Sequence, residues 1–155
     1  MKNLTLDENT AKSLYPTAAP EFKTMLEETF GKQLFIKNVM DRVKTFEDAC
    51  REVGVIPHKV YNPMADSKDE IAYKKLKIIA KALNEGWVVD WNNEKESKYF
   101  PYFDMRKRPG SGFVGSCFYW VTYSFVSSRL TYKTSTLAAY AGKQFEVEYY
   151  DYMVI

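Results

Sequence analysis

The residues with chemical potential are few and scattered. Gly110, Gly112 and Gly115 spell G-x-G-x-x-G, which in dinucleotide-binding folds brings a pyrophosphate to a helix N-terminus. That chemistry needs a strand before the glycines and a helix after them. Here Arg106-Lys107-Arg108-Pro109 precedes them and an uncharged aromatic run follows, so the glycines are expected to form a turn and a bend. The glycine loop of protein kinases does sit between strands, but no V-A-I-K or H-R-D partner accompanies it. His58 is the one histidine, which excludes a two-histidine metal site or a Cys2His2 cluster. Cys50 and Cys117 have no metal or redox spacing, and a Cys–His dyad with His58 lacks an activating context. Asp66, Asp69 and Glu70 are explained by a helix N-terminus, where negative charge meets the macrodipole. Ser116, Ser124, Ser127 and Ser128 show no nucleophile-elbow pattern. The chain is therefore expected to be no enzyme and to use no cofactor or metal.

Two patterns point to binding instead. Arg106-Lys107-Arg108 beside aromatic residues is the arrangement that lets single-stranded nucleic acid stack on rings while cations track phosphates. The run is short, and Glu94, Glu96 and Asp104 dilute it, so a solvated loop is expected and nucleic acid is not the favoured partner. The second pattern is stronger. From Trp87 to Phe125 the chain holds twelve aromatics in 39 residues. Within it, Gly110 to Ser128 carries no charge and mixes glycine, serine and large rings. Tyr and Trp give large contact area at small entropic cost, and Ser and Gly adapt around them. The same rings could equally fill a core. Tyr119, Trp120, Tyr123, Phe125 and Arg129 are the candidate contacts, with Gly110 and Gly112 shaping the loop.

The elements that must position them read as follows. Residues 1–40 form an arm or short strand (Leu4, Leu6) and a first helix, and residues 41–155 form the main domain. Pro20 opens the first helix, Phe22, Met25, Leu26 and Phe30 fall at helical spacing, and Gly31 ends it. Leu34-Phe35-Ile36 is a short strand or packing segment. Thr45 caps a second helix with Asp48 as capping-box partner, Phe46, Ala49, Cys50 and Val53 as its stripe, and Gly54 as its stop. Ser67 and Glu70 box the start of a third helix. Its apolar face is Ala72, Leu76, Ile79, Ala80 and Leu83, and Lys74, Lys75, Lys77 and Lys81 form a solvated face. Trp87–Asn93 is expected as a strand running into a turn, Phe113–Val126 as a strand or loop apolar on both faces, and Leu130 and Tyr132 as a further strand. Thr134 or Ser135 caps a final helix bearing Leu137, Tyr140, Ala141, Phe145, Tyr149 and Tyr152, with Gly142 allowing close packing. This order predicts an α+β fold: three N-terminal helices, a small antiparallel aromatic-rich sheet and a C-terminal helix.

Composition bounds the rest. The 155 residues suit one compact domain, with 46% hydrophobic and 27% charged content. A net charge of +2 and a pI near 8.4 fall short of a nucleic-acid footprint. No window approaches 18 uninterrupted apolar residues and the start shows no signal-peptide run, so cytoplasmic synthesis without membrane insertion is expected.

Three stretches carry a resemblance: Thr45-Phe-Glu-Asp-Ala-Cys-Arg-Glu-Val-Gly54, Lys77-Ile-Ile-Ala-Lys-Ala-Leu-Asn-Glu-Gly-Trp87, and Ser128-Arg-Leu with Tyr140-Ala-Gly-Lys-Gln-Phe145. Over residues 41–155 the chain resembles small proteins of gut-bacterial phages and prophages that have no assigned activity. The N-terminal part resembles a leader attached to several of them. Gly110–Ser128 also resembles the variable segment of diversity-generating retroelement targets. Their mutable codons exclude Trp, Met, Gln, Lys and Glu, and only Trp120 departs from that rule here. The resemblance implies a hypervariable, C-type-lectin-like ligand binder acting on a protein or cell-surface ligand. The long helix after the stretch departs from that fold. Two other expectations stand beside it: a virion structural or assembly protein, forming homo-oligomers through the aromatics, and a single-stranded nucleic-acid binder.

Overall fold

A computed structural model describes residues 6–93, 95–109 and 129–154. They fall into two compact units, Met1–Arg42 and Val43–Ile155. The first unit starts with α1 (Glu8–Leu14), capped by the Asp7 carboxylate accepting from the Thr10 N–H at 2.8 Å. The expected strand at Leu6 is absent because this cap commits the chain to helix one residue later. Leu4 lies outside the described residues. After a tight turn through Pro16, α2 runs Pro20–Phe30, with proline in its first turn and Gly31 at φ 83 as its stop. The Leu34-Phe35-Ile36 segment continues a short 3-10 turn instead of forming a strand, and Phe35 stacks on Tyr15 at 4.3 Å. The Tyr15 hydroxyl donates to Glu27. Burial and that carboxylate together push its pKa up to about 12. In α3 (Val39–Arg42) the buried Arg42 guanidinium donates to the carbonyls of Ile36 and Lys37, tying off the preceding turn.

The second unit is organised on α5 (Lys68–Leu83), preceded by α4 (Phe46–Val53). Both helices start where the sequence marks them. Thr45 and Asp48 exchange side-chain-to-backbone hydrogen bonds, and the Glu70 carboxylate accepts from the Ser67 N–H at 2.8 Å. Gly54, at φ 73, takes the left-handed position that ends α4 at little steric cost. Ala72, Leu76, Ile79, Ala80 and Leu83 are all buried. Against this spine pack α4, α6 (Ser135–Gln144) and α7 (Glu146–Met153). The lysine face is not simply solvated. Lys74 pairs with Asp66 at 2.6 Å, Lys75 lies over the rings of Phe46 and Tyr61, and Lys77 lies over Tyr73. Lys81 alone of the four is exposed.

Two expectations are corrected here. The single closing helix is two helices, broken at Phe145, whose φ of −112° and ψ of 37° leave the helical region. The stripe Leu137, Ala141, Phe145, Tyr149 keeps its i, i+4 spacing across the break, so the pattern reads as one helix. More importantly, the fold is not α+β. Seven α-helices and no strand occur among the described residues, where Tyr99 and Tyr132 form an isolated antiparallel bridge in place of the expected aromatic sheet. Trp87–Asn93 fails as a strand because its N–H groups find side-chain acceptors nearby. The Glu96 carboxylate accepts from Asp90 N–H and Trp87 Nε1, and Asp90 Oδ1 accepts from Asn92 N–H. Leu130 and Tyr132 do not alternate with an exposed Thr131; all three are buried, as a chain passing through a helical core requires. The strand or loop expected over Phe113–Val126 lies within residues 110–128, outside the described residues.

Gly142 is where α6 meets the irregular chain. A Cβ built there would lie 2.7 Å from Pro101 Cβ, closer than two carbons can approach. Gly142→Ala is therefore expected to destabilise. Overpacking costs roughly 1–3 kcal/mol, against a helix-propensity gain of about 1 kcal/mol. Thermal unfolding checks this, and a raised midpoint would show that Pro101 is free to retreat.

Candidate functional site

The chain leaves the described part of the molecule at Pro109 and returns at Arg129, between an outgoing limb (residues 99–103) and a return limb (130–133). Their anchoring begins at the end of α5. Asn84 caps the helix, and Glu85 and Gly86 then take left-handed backbone angles, φ 49 and φ 81. For Glu85 that conformation is unfavourable, and its carboxylate pairs with Lys133 Nζ at 3.0 Å. Asn84 is buried, and its carboxamide meets the return limb twice. Nδ2 donates to the Thr131 carbonyl at 2.7 Å, and Oδ1 accepts from the Lys133 N–H at 3.0 Å.

The outgoing limb closes the other side. Tyr132 N–H donates to the Tyr99 carbonyl at 2.7 Å and Tyr99 N–H donates back at 3.2 Å. Pro101 lies against Gly142, and the Phe103 ring meets Tyr149 with centroids 4.8 Å apart. Beneath them the hydroxyls of Tyr132 and Tyr149 are 2.9 Å apart, with no third hydrogen-bond partner among the described residues. Burial raises the pKa of both phenols, so both stay protonated. Further out, the buried Lys98 ammonium donates to the carbonyls of Asn93 and Glu96 and lies 5.6 Å from the Trp91 ring, fixing the turn before the outgoing limb.

Of the candidate contacts, Arg129 is exposed at the start of the return limb. Tyr119, Trp120, Tyr123, Phe125, Gly110 and Gly112 lie outside the described residues. The flanking aromatics divide between the two uses that the composition left open. Phe103 is buried and Trp87, Tyr99 and Phe100 are half-buried, whereas Trp91 and Tyr102 are exposed, as are Val88 and Met105. Sequence reasoning missed Asn84, Lys98 and the Tyr132–Tyr149 pair. An asparagine after the last apolar position of a helix reads as a cap, and nothing local tells that its amide serves a segment 47 residues away.

The basic run is partly spent internally. Arg106 forks onto Asp104 through two 2.8 Å hydrogen bonds, which hold that carboxyl down at about 2. Cys50 is buried, and burial raises its thiol pKa, the wrong direction for a nucleophile. His58 is exposed. Among the described residues no three His, Cys, Asp or Glu side chains are grouped to hold a metal ion, and no helix is long and apolar enough to cross a membrane.

Comparison with protein families, characterised proteins and solved structures finds no match to this chain.

The buried phenol pair gives a sharp test of the limb's anchoring. Tyr132→Phe or Tyr149→Phe leaves one buried hydroxyl without its partner, costing about 1–3 kcal/mol each. Removing both hydroxyls is expected to cost less than the sum of the two single changes. Denaturant unfolding of the cycle decides, and strict additivity would mean that the hydroxyls are not coupled.

Proposed function

We propose that this is a non-enzymatic, phage- or prophage-encoded binding protein in which a helical unit holds residues 110–128 for contact with a protein or cell-surface ligand. Tyr119, Trp120, Tyr123 and Phe125 supply the contact area, Gly110 and Gly112 shape the loop, and Arg129 stands at its base. The phage origin rests on the resemblance of residues 41–155.

One observation carries the recognition reading. Both limbs flanking the stretch are fixed by contacts made among residues outside it: Tyr99 with Tyr132, Asn84 with Thr131 and Lys133, Phe103 with Tyr149, and Pro101 with Gly142. A rigid frame carrying a variable connection is how scaffolds position recognition loops. In the chain before the stretch, Val88 is 83% and Tyr102 55% exposed. The Arg106–Asp104 fork weighs against single-stranded nucleic acid, since it neutralises part of the cluster that would have to track phosphates.

Fluorine NMR of the protein labelled with 5-fluorotryptophan tests this reading, with its three tryptophans assigned by Trp→Phe variants. The Trp120 resonance is expected to show the full solvent isotope shift of an exposed indole in a monomer verified by light scattering. No isotope shift in the monomer would place Trp120 in the core and overturn the assignment.

A further inference from the structure

We propose that Asn84 is the positioning residue of the return limb: its side chain takes the place of a neighbouring β-strand, of which there is none among the described residues. Residues 130–132 of the limb are buried, and its peptide groups find partners on two sides. On one side Tyr132 exchanges both of its backbone hydrogen bonds with Tyr99. On the other, the Thr131 carbonyl and the Lys133 N–H face α5, where no backbone offers a ladder. In a parallel pair of strands one residue donates to the carbonyl before its neighbour and accepts from the N–H after it. Asn84 makes this pair of bonds with one carboxamide, donating to Thr131 and accepting from Lys133, at 2.7 and 3.0 Å.

The chemistry restricts the position. The amide must be donor and acceptor at once, which excludes aspartate, leucine and alanine. It must also reach two peptide groups of one segment from a helix end. Glu85 reinforces the same limb from its left-handed position by pairing with Lys133 Nζ. Three contacts from two consecutive residues thus set where the chain re-enters the helical unit. That this re-entry controls presentation of residues 110–128 rests on the recognition reading above; the pairing itself does not.

Hydrogen exchange followed by NMR tests the assignment. In the unmodified protein the Asn84 carboxamide protons are expected to exchange far more slowly than those of the exposed Asn92. In Asn84→Ala the Lys133 amide is expected to exchange about tenfold faster or more, the effect of losing a buried hydrogen bond. The amides of Leu76 and Ile79 in α5 keep their protection. In Asn84→Asp, which keeps the acceptor, the Lys133 amide is expected to stay protected relative to the alanine variant. If the Asn84 carboxamide exchanges like Asn92, or if alanine speeds Lys133 and the α5 amides equally, the positioning role is overturned. The first of these needs no variant to fold. A shifted 5-fluoro-Trp120 resonance in the alanine variant supports control of presentation. A buried Trp120 would remove the recognition reading while leaving the exchange result standing.

Discussion

A peptide segment that passes through a helical core must find partners for every N–H and C=O, because an unpaired buried group costs as much as a lost hydrogen bond. Residues 130–133 face that constraint with no strand beside them among the described residues. The solution divides the limb between two neighbours, Tyr99 on one edge and the Asn84 side chain on the other. Much else follows from it. The Asn84 cap and the Glu85–Gly86 turn end α5 where its amide reaches the limb. Tyr132, fixed by its backbone, brings its phenol to Tyr149 on α7, and Phe103 covers the same ring. Gly142 then lets α6 close over Pro101.

The charged and aromatic residues of the second unit serve this packing more than they advertise a ligand. Lys75 and Lys77 lay their ammonium groups over rings on α4, the following turn and α5 itself. Long stems covering aromatic edges in this way stabilise the helix surface without a basic patch. Lys68 pairs with Asp151 at 2.7 Å, and Tyr73 stacks on Tyr152, so α5 and α7 are joined outside the core as well as within it. Arg106 is held by Asp104. The residues exposed along the chain before the stretch include Val88, Trp91, Tyr102 and Met105 beside the charged Lys107 and Arg108.

The helices were legible because their signals are local. Thr45 with Asp48, Ser67 with Glu70, Gly31 and Gly54 each act within one turn, and the Ala72–Leu83 stripe needs only the helical period. The errors came where a longer-range fact overrode a local one. Period-two spacing in Leu130–Lys133 cannot say whether the neighbour of this segment is a strand or one asparagine. Trp87–Asn93 has strand composition, yet Glu96 and Asp90 capture its donors. The break at Phe145 falls on a stripe that continues through it. For the candidate site, the sequence points to Arg129 and the aromatic stretch as an expectation but gives no sign of the frame, because Asn84 and Thr131 are brought together only by the fold.

The central claim is that the second unit is a helical platform complete without the ring side chains of residues 110–128. Replacing that stretch residue for residue with glycine and serine, and following equilibrium unfolding by circular dichroism, tests it most directly. The account predicts a cooperative transition and a helical spectrum like that of the parent chain. Loss of cooperative unfolding would show that the stretch is part of the core, and would contradict it.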